Sequence, residues 1–187
     1  MIDIPSDILR GDVKVDVPPY IPVKPHRSSG DPQDVRDAAK AICGARRPVI
    51  HAGQGVLYAD ASKELIELAE LVQAPVMTTL SGKSCFPENH PLSIGSGGMT
   101  TTGSVVHFLK ESDMVFGIGC SFSETAFGVD IPSGKAIVHC TNDEGDVNKE
   151  YQADHVVIGD AKLVLQSLIL SLIHISEPTR PRLISYA

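Results

Sequence analysis

Two glycines that directly follow an apolar run are the first residues in this sequence with a recognisable chemical use. Gly53 and Gly55 stand after the run at 48–52, and glycines at such a place let the backbone turn tightly and approach a phosphate closely. The complete GxGxxG fingerprint of dinucleotide-binding proteins is absent, because position 58 is a tyrosine. The pair therefore indicates either a nucleotide-sized crevice or an ordinary turn between a strand and a helix.

Other common catalytic and binding motifs are excluded because the sequence lacks their residue spacing. Residues 78–83 contain a Gly-Lys pair without the spacing of a phosphate loop, and the sequence has no GxSxG nucleophile elbow. His51 and His139 lie within apolar runs, which is typical of buried core histidines. The acidic turn at 143–146 lacks the ligand pattern of a calcium loop. Taken alone, the residues predict no catalytic constellation.

Apolar runs that alternate with helical patterns must position these residues. Continuous apolar strands that alternate with helices are typical of a parallel sheet covered on both faces. We therefore predict an α/β fold whose parallel sheet is flanked by helices on both faces, with ligands bound beyond the carboxyl ends of the strands. Strands are predicted at 48–52, 75–79, 113–119, 135–140 and 155–158, and helices at 31–44, from 60 or 62 to 72, at 101–110 and from 160 or 161 through 168.

Local signals predict three further features. Residues 80–98 are rich in Gly and Pro and are interpreted as a long loop. Residues 2–9 alternate weakly and predict a short strand followed by a turn. In the second helix, the side chains of Glu64, Glu67 and Glu70 are expected to point to water.

The composition disfavours several classes of partner. Of the 187 residues, 42% are hydrophobic and 21% are charged, which is typical of a globular domain, and the net charge is −7. An acidic chain with 5% aromatic residues and no tryptophan is poorly suited to nucleic acid or to an anionic membrane surface. Since the four cysteines form no CxxC pair, we interpret them as small buried thiols of a reducing compartment, the cytoplasm. They are Cys43, Cys85, Cys120 and Cys140.

A series of short motifs occurs in a fixed order between residues 31 and 168. The motifs are RPVIHAG at 47–53, PVMTTL at 75–80, GK, FPE and HPL within 82–92, Gly95, GM at 98–99, IG at 118–119, His139 with Asp143, and GDAK at 159–162. Their order and spacing resemble the central domain of thiamine-diphosphate-dependent enzymes of the acetolactate synthase type. With this resemblance, the expected fold is a Rossmann-like, six-stranded, three-layer sandwich.

The resemblance implies that the catalytic groups lie in other domains of a parent enzyme. Such enzymes decarboxylate a 2-keto acid on thiamine diphosphate, with Mg²⁺, and transfer the two-carbon unit. The family places its activating glutamate in a pyrimidine-binding domain and its GDG…N motif for Mg²⁺ and diphosphate in a C-terminal domain, and neither motif occurs here. We therefore expect no catalytic residue and no metal ligand in this chain. Its partners are expected to be those two domains, within a parent homodimer or homotetramer.

The resemblance also implies that the central domain holds FAD or ADP, or is an empty structural remnant. The flavin-binding pattern is not fully kept: Ser121-Phe122-Ser123-Glu124 replaces Arg-Phe-Asp-Asp, and Thr100 replaces a histidine. The missing arginine would offer five donors to a diphosphate, so a non-flavin member of the superfamily is favoured over a true acetolactate synthase. The candidate ligand-binding residues are Gly53, Gly55, Thr79, Leu80, Gly98, Met99, Gly119, Ser121, Phe122, Asn142, Asp143 and Asp160.

The two ends of the chain set the expected domain boundaries. Residues 1–9 resemble the last strand of a pyrimidine-binding domain that is otherwise missing, and the prolines of 10–30 predict an extended linker. The central domain is expected at 31–169. The segment at 170–187 fits no family pattern, and its back-translation is compatible with sequencing-adaptor DNA, so we interpret it as a non-native tail. A natural amphipathic tail is the alternative.

Two other functions stay open at this point. One is an FAD-, NAD- or ADP-binding module of another class, such as an NAD-dependent deacylase or an electron-transfer flavoprotein domain. The scattered cysteines disfavour a zinc-bearing deacylase. The other is a purely structural domain that holds two catalytic domains in register without binding any ligand.

Overall fold

A computed structural model describes residues 3–12, 16, 18–23, 26–98, 101–123 and 128–176. In these ranges the strands are β1 (Pro48–Ala52), β2 (Val76–Thr78), β3 (Ser93–Ser96), β4 (Met114–Ile118), β5 (Ala136–Thr141) and β6 (His155–Ile158). The helices are α1 (Ser6–Leu9), α2 (Pro32–Gly44), α3 (Gln54–Tyr58), α4 (Ser62–Val72), α5 (Gly103–Glu111) and α6 (Ala161–Ser176), with one 3₁₀ turn at Glu144–Asp146.

The strands form one parallel sheet in the order β3-β2-β1-β4-β5-β6. The chain starts in the middle of the sheet, builds outward to β3, and then returns to place β4 beside β1, with Ile50 opposite Phe116. This is the strand order of the doubly wound dinucleotide-binding fold, and β1 and β4 form its topological switch point. The predicted α/β fold is confirmed.

Helices cover both faces of the sheet, and the side chains of β1 alternate between them. Ile50 joins a core cluster with residues of α2, α4 and α6, whereas Val49 joins a second cluster with Val105 and Leu109 of α5. This period of two is what a strand buried on both faces requires. The expected three layers are therefore present.

The start of α2 follows from the sequence signals, whereas α6 extends beyond its predicted end at residue 168. Asp31 caps α2, since its carboxylate accepts the N–H groups of Gln33 and Asp34 at 2.7 and 3.4 Å, and Pro32 stands at the first helical position. Helix α6 continues to Ser176, and its Leu172 is buried in the core. Residues 177–187, the larger part of the segment interpreted as a tail, lie outside the described residues.

None of the described helices is long and apolar enough to cross a membrane.

Three local predictions are wrong. The predicted loop at 80–98 contains β3, an edge strand without an apolar pattern that the ladder with β2 holds in place. In the segment predicted as a strand, Ser6–Leu9 form a single exposed helical turn, because no neighbouring strand offers the ladder hydrogen bonds. Glu64 is 8% exposed rather than pointing to water, because α6 covers it.

Candidate functional site

The carboxyl ends of β1 and β4 touch through three glycines. The N–H of Gly53 donates to the Ile118 carbonyl at 2.9 Å, and the N–H of Gly55 donates to the Gly119 carbonyl at 2.8 Å. A Cβ at Gly53 would lie 2.2 Å from the Gly119 oxygen, and Gly119 itself has a φ of +60°. These glycines are therefore required by the close approach of two backbone segments, and the two amides that could cradle a phosphate already have partners within the protein.

Two cavities open along this edge of the sheet. The first, the Phe122 cavity, has a volume of about 450 Å³ and is lined by His51, Tyr151 and the loops after β2 and β4. The second, the Arg27 cavity, has a volume of about 610 Å³ and is lined by Arg27, Tyr58 and the ends of β4, β5 and β6. Both volumes are in the range of small-molecule sites, and both lie where ligands bind in sheets of this topology.

The candidate ligand-binding residues are divided between these cavities. Thr79, Leu80, Ser121 and Phe122 line the Phe122 cavity. Gly55, Gly119, Asn142 and Asp160 line the Arg27 cavity. Gly53, Gly98 and Asp143 line neither cavity. Met99, Thr100 and Glu124 lie outside the described residues.

Asp143 and Gly98 serve local structure. The Asp143 carboxylate accepts the N–H of Gly145 at 2.9 Å and so caps the 3₁₀ turn. The N–H of Gly98 donates to the Thr101 hydroxyl at 3.0 Å, which shapes the turn before α5. The Asp143 carboxylate and the Thr101 hydroxyl are therefore already engaged in turns at this edge of the sheet.

Aromatic rings form the floor of the Phe122 cavity. The Phe122 ring stacks on His51 at 5.7 Å between centroids and meets His139 edge-on at 4.7 Å. The His139 Nε2–H donates to the Cys120 carbonyl at 2.8 Å, so this histidine is a satisfied core residue, as expected. His51 differs, since its buried Nδ1 has no hydrogen-bond partner in the described part of the chain.

Burial keeps both histidines neutral. It lowers the pKa of His51 to about 4, with a smaller contribution from nearby His139, and it also lowers the pKa of His139. No lysine or arginine is among the described residues that line the Phe122 cavity. The cavity therefore suits an uncharged ring or chain and offers no counterion to a phosphate.

An arginine that sequence reasoning missed lies in the Arg27 cavity. Arg27 donates from Nε to the Asp160 carboxylate at 2.8 Å and from Nη2 to the Ala59 carbonyl at 3.0 Å. Asp160 also accepts the N–H of Leu163 at 3.3 Å and so caps α6. The sequence does not indicate Arg27 as a site residue, because it belongs to the predicted linker. The proline pattern there does not show which residue will contact the edge of the sheet.

The cysteines supply no reactive thiol at either cavity. Burial raises the pKa of Cys85 and of Cys120 to about 12 and also raises the pKa of Cys140, so all three stay protonated. Cys43 is exposed, contrary to the expectation of a buried thiol, because it follows the buried Ile42 on the outer side of α2. Among the described residues, no group of three or more His, Cys, Asp or Glu side chains could hold a metal ion.

A larger cavity lies at the opposite edge of the sheet, where the strands begin. Its volume is about 810 Å³, and Arg46, Arg47 and His107 contribute to its wall. The Asp113 carboxylate accepts the backbone N–H groups of Arg46 and Arg47 at 2.8 and 2.9 Å, and Arg47 pairs with Glu111 at 2.7 Å. The carboxylates of Asp113 and Glu111 are therefore already paired within the protein, and no candidate ligand-binding residue lines this cavity.

Comparison with known proteins gives a consistent set of relatives. Residues 35–168 match the family model for the thiamine pyrophosphate enzyme central domain. The chain is 42% identical over 185 residues to a probable acetolactate synthase large subunit of Methanocaldococcus jannaschii, covering 92% of this chain and 30% of that protein. It is 36% identical over 179 residues to an acetolactate synthase of Mycobacterium bovis, covering 93% and 29%. The chain thus spans about 30% of the length of these curated relatives.

Solved structures with the same fold point to the same kind of protein. A putative thiamin diphosphate-dependent enzyme from Mycobacterium smegmatis has a TM-score of 0.69 and 26% identity, covering 83% of this chain and 30% of that one. Benzoylformate decarboxylase from Polynucleobacter necessarius has a TM-score of 0.66 and 26% identity, covering 89% and 31%.

Proposed function

Since the chain belongs to the thiamine pyrophosphate enzyme central-domain family, we propose that it is the non-catalytic middle part of a 2-keto-acid decarboxylase or carboligase resembling acetolactate synthase. The observation that carries this proposal is the family match over 35–168 on a sheet of the expected topology. A nucleotide-binding module of another class is not favoured, because the curated and solved relatives are thiamine-diphosphate enzymes or acetolactate synthases.

The chemistry of the described residues supports a non-catalytic role. The buried histidines are neutral, the buried thiols are protonated, and no metal-holding cluster is found in the described ranges. The described residues therefore do not fit Mg²⁺, with which thiamine diphosphate acts in this kind of enzyme. We assign both to pyrimidine-binding and diphosphate-binding domains of the parent protein, which is proposed to be a cytoplasmic homodimer or homotetramer.

For the central domain itself, we propose that the carboxyl edge binds an ADP-containing ligand, either ADP or the ADP half of FAD. The switch point, the volume of the Arg27 cavity and the presence of Arg27 in its wall support this class of ligand. The flavin half of FAD is less favoured, because residue 121 is a serine where the flavin-binding pattern has an arginine. A ligand-free structural role is the second candidate, favoured by the amides of Gly53 and Gly55 that already have partners.

Titration and turnover assays on the purified chain test this proposal. We expect no pyruvate consumption and no Mg²⁺-dependent heat with thiamine diphosphate, but saturable heat with ADP. An intact acetolactate synthase serves as the positive control for both assays. Pyruvate turnover by the chain alone would contradict the non-catalytic role. If neither ADP nor FAD binds, and the protein stays colourless after incubation with FAD, the structural role replaces the ligand site.

A further inference from the structure

We infer that Arg27 binds the anionic part of the ligand at the carboxyl edge, so that the segment before α2 completes the site. This inference rests on the proposed ADP-type ligand. Arg27 would thus supply the positive charge that the flavin-binding pattern supplies with an arginine at the position of Ser121.

The backbone next to Arg27 is held firmly against the sheet. The N–H of Asp160 donates to the Ser28 carbonyl at 2.8 Å. At Gly159 a Cβ would lie 2.8 Å from the Ser28 oxygen and 2.9 Å from the Gly30 nitrogen, so these two segments are in direct contact. Gly30 makes its own close approach with a φ of +81°. The position of Arg27 is therefore fixed by Ser28 and Gly30, which contact the residues that follow β6.

The guanidinium has donors left for a ligand. Of its five N–H groups, the contacts with Asp160 and Ala59 use Nε–H and one hydrogen of Nη2. The Arg27 side chain is 45% exposed and lines the Arg27 cavity together with Gly55 and Gly119. A phosphate in this cavity can take the remaining donors side by side, which is the geometry in which arginine binds phosphate best.

Nearby groups favour a nucleotide over a bare anion. Among the described residues that line this cavity, Arg27 is the one lysine or arginine, and nearby Lys162 donates to the carbonyl of the lining residue Asp60 at 2.8 Å. Tyr58 is 80% exposed at the cavity and offers an aromatic face on which a base can stack. Asn142 adds an amide that both donates and accepts. Together these groups match an aromatic base joined to a diphosphate.

Asp160 receives a different role from the one the sequence indicated. Its carboxylate pairs with Arg27 and caps α6, so it repels a phosphate and holds the guanidinium in place. We therefore treat Asp160 as a positioning residue. Asp160→Asn keeps the cap, because asparagine is also a good N-cap residue, but removes the negative charge that competes for Arg27. Tighter ADP binding is expected from this variant, whereas weaker binding would contradict the competition between the Asp160 carboxylate and the ligand for Arg27.

The test compares ADP and adenosine binding by calorimetry in wild type, Arg27→Gln, Arg27→Lys and the control Arg36→Gln. Arg36 is an exposed arginine on α2 whose described partner is Gln33. We expect Arg27→Gln to weaken ADP binding by about tenfold or more, Arg27→Lys to weaken it less, and Arg36→Gln to leave it unchanged. Adenosine, which lacks phosphates, should bind all four proteins alike. Circular dichroism confirms that each variant is folded.

The outcomes separate this inference from the proposed function. Equal ADP affinity in wild type and Arg27→Gln would overturn the role of Arg27 and leave the ligand site standing. Absence of ADP binding to the wild type would overturn both. Trypsin gives an independent measurement on the wild-type chain: ADP should slow cleavage after Arg27 and leave cleavage after the exposed Arg10 unchanged. Unchanged cleavage after Arg27 at saturating ADP would count against the inference.

Discussion

The Gly55 N–H donates to the Gly119 carbonyl at 2.8 Å and thereby joins the first turn of α3 to the end of β4. This bond crosses the topological switch point, where the sheet would otherwise open into a crevice. The backbone of the two segments is so close that side chains are excluded from both sides of the contact. This close backbone contact thus lies at the place where a ligand would approach the sheet.

Gly53→Ala tests this contact. The new Cβ would lie 2.2 Å from the Gly119 oxygen and 2.6 Å from the Cys120 Cα, both backbone atoms that cannot move aside cheaply. We expect a loss of about 1–3 kcal/mol in the free energy of unfolding, measured by urea denaturation. Gly44→Ala is the matched control, since a Cβ there meets nothing within 4 Å; its expected effect is a gain of up to about 1 kcal/mol. Equal stability of the two variants would contradict the required contact.

The central elements of the fold could be predicted because their signals are local. Asp31 and Pro32 mark the start of α2 by cap chemistry, and the continuous apolar run of β4 marks a strand buried on both faces. β3 could not be predicted in this way, because Ser93–Ser96 carry no apolar alternation and depend on pairing with β2. Such an edge strand is determined by its neighbour rather than by its own residues.

The pH dependence of stability is predicted from His51. Its pKa falls from 6.5 to about 4 on burial, so the unfolded chain binds a proton in a pH range where the folded chain does not. Stability is therefore full above about pH 6.5 and decreases as the pH falls toward 4, by roughly 3 kcal/mol for this residue. His51→Phe keeps a ring against Phe122 and should reduce the slope over this range, leaving the contribution of His139, whose pKa burial also lowers. Urea denaturation from pH 7 to pH 4 measures the effect.

A second histidine variant controls for general acid effects. His107→Gln changes an exposed histidine of α5, so its stability should follow the wild-type pH curve. If His51→Phe keeps the full wild-type slope, another group carries the pH dependence.

The candidate site was predicted only in part, because some of its residues directly follow predicted strands whereas Arg27 lies in the proline-rich segment. Gly119 and Asn142 directly follow strands, so the topology alone places them at the carboxyl edge. Arg27 precedes the first helix of the domain and reaches the site through contacts of Ser28 and Gly30 with the end of β6. These contacts join residues far apart in the chain, and periodicity cannot reveal them.

A partly buried polar contact between α4 and α6 gives a further stability prediction. Gln166 Nε2–H donates to Glu64 Oε1 at 2.9 Å, and the second carboxylate oxygen of Glu64 is buried without a partner in the described structure. Gln166→Leu would leave the whole carboxylate dependent on Lys162 at 3.7 Å. We expect a loss of about 1–3 kcal/mol by urea denaturation. Gln33→Leu, on the exposed side of α2, should change stability by less than about 0.5 kcal/mol; a similar loss in both variants would refute the role of Gln166.

Thiol labelling tests the burial of the core. Cys43 is exposed, whereas Cys85, Cys120 and Cys140 are buried, and burial raises the pKa of Cys85 and Cys120 to about 12. Since the thiolate is the reactive form, iodoacetamide should modify Cys43 alone in the folded protein and all four cysteines in urea. Mass spectrometry of tryptic peptides distinguishes the sites, and Cys43→Ser should abolish labelling of the native chain. Native labelling of Cys120 or Cys140 at the rate of Cys43 would show that the sheet opens at its carboxyl edge, which the glycine contact between β1 and β4 is expected to prevent.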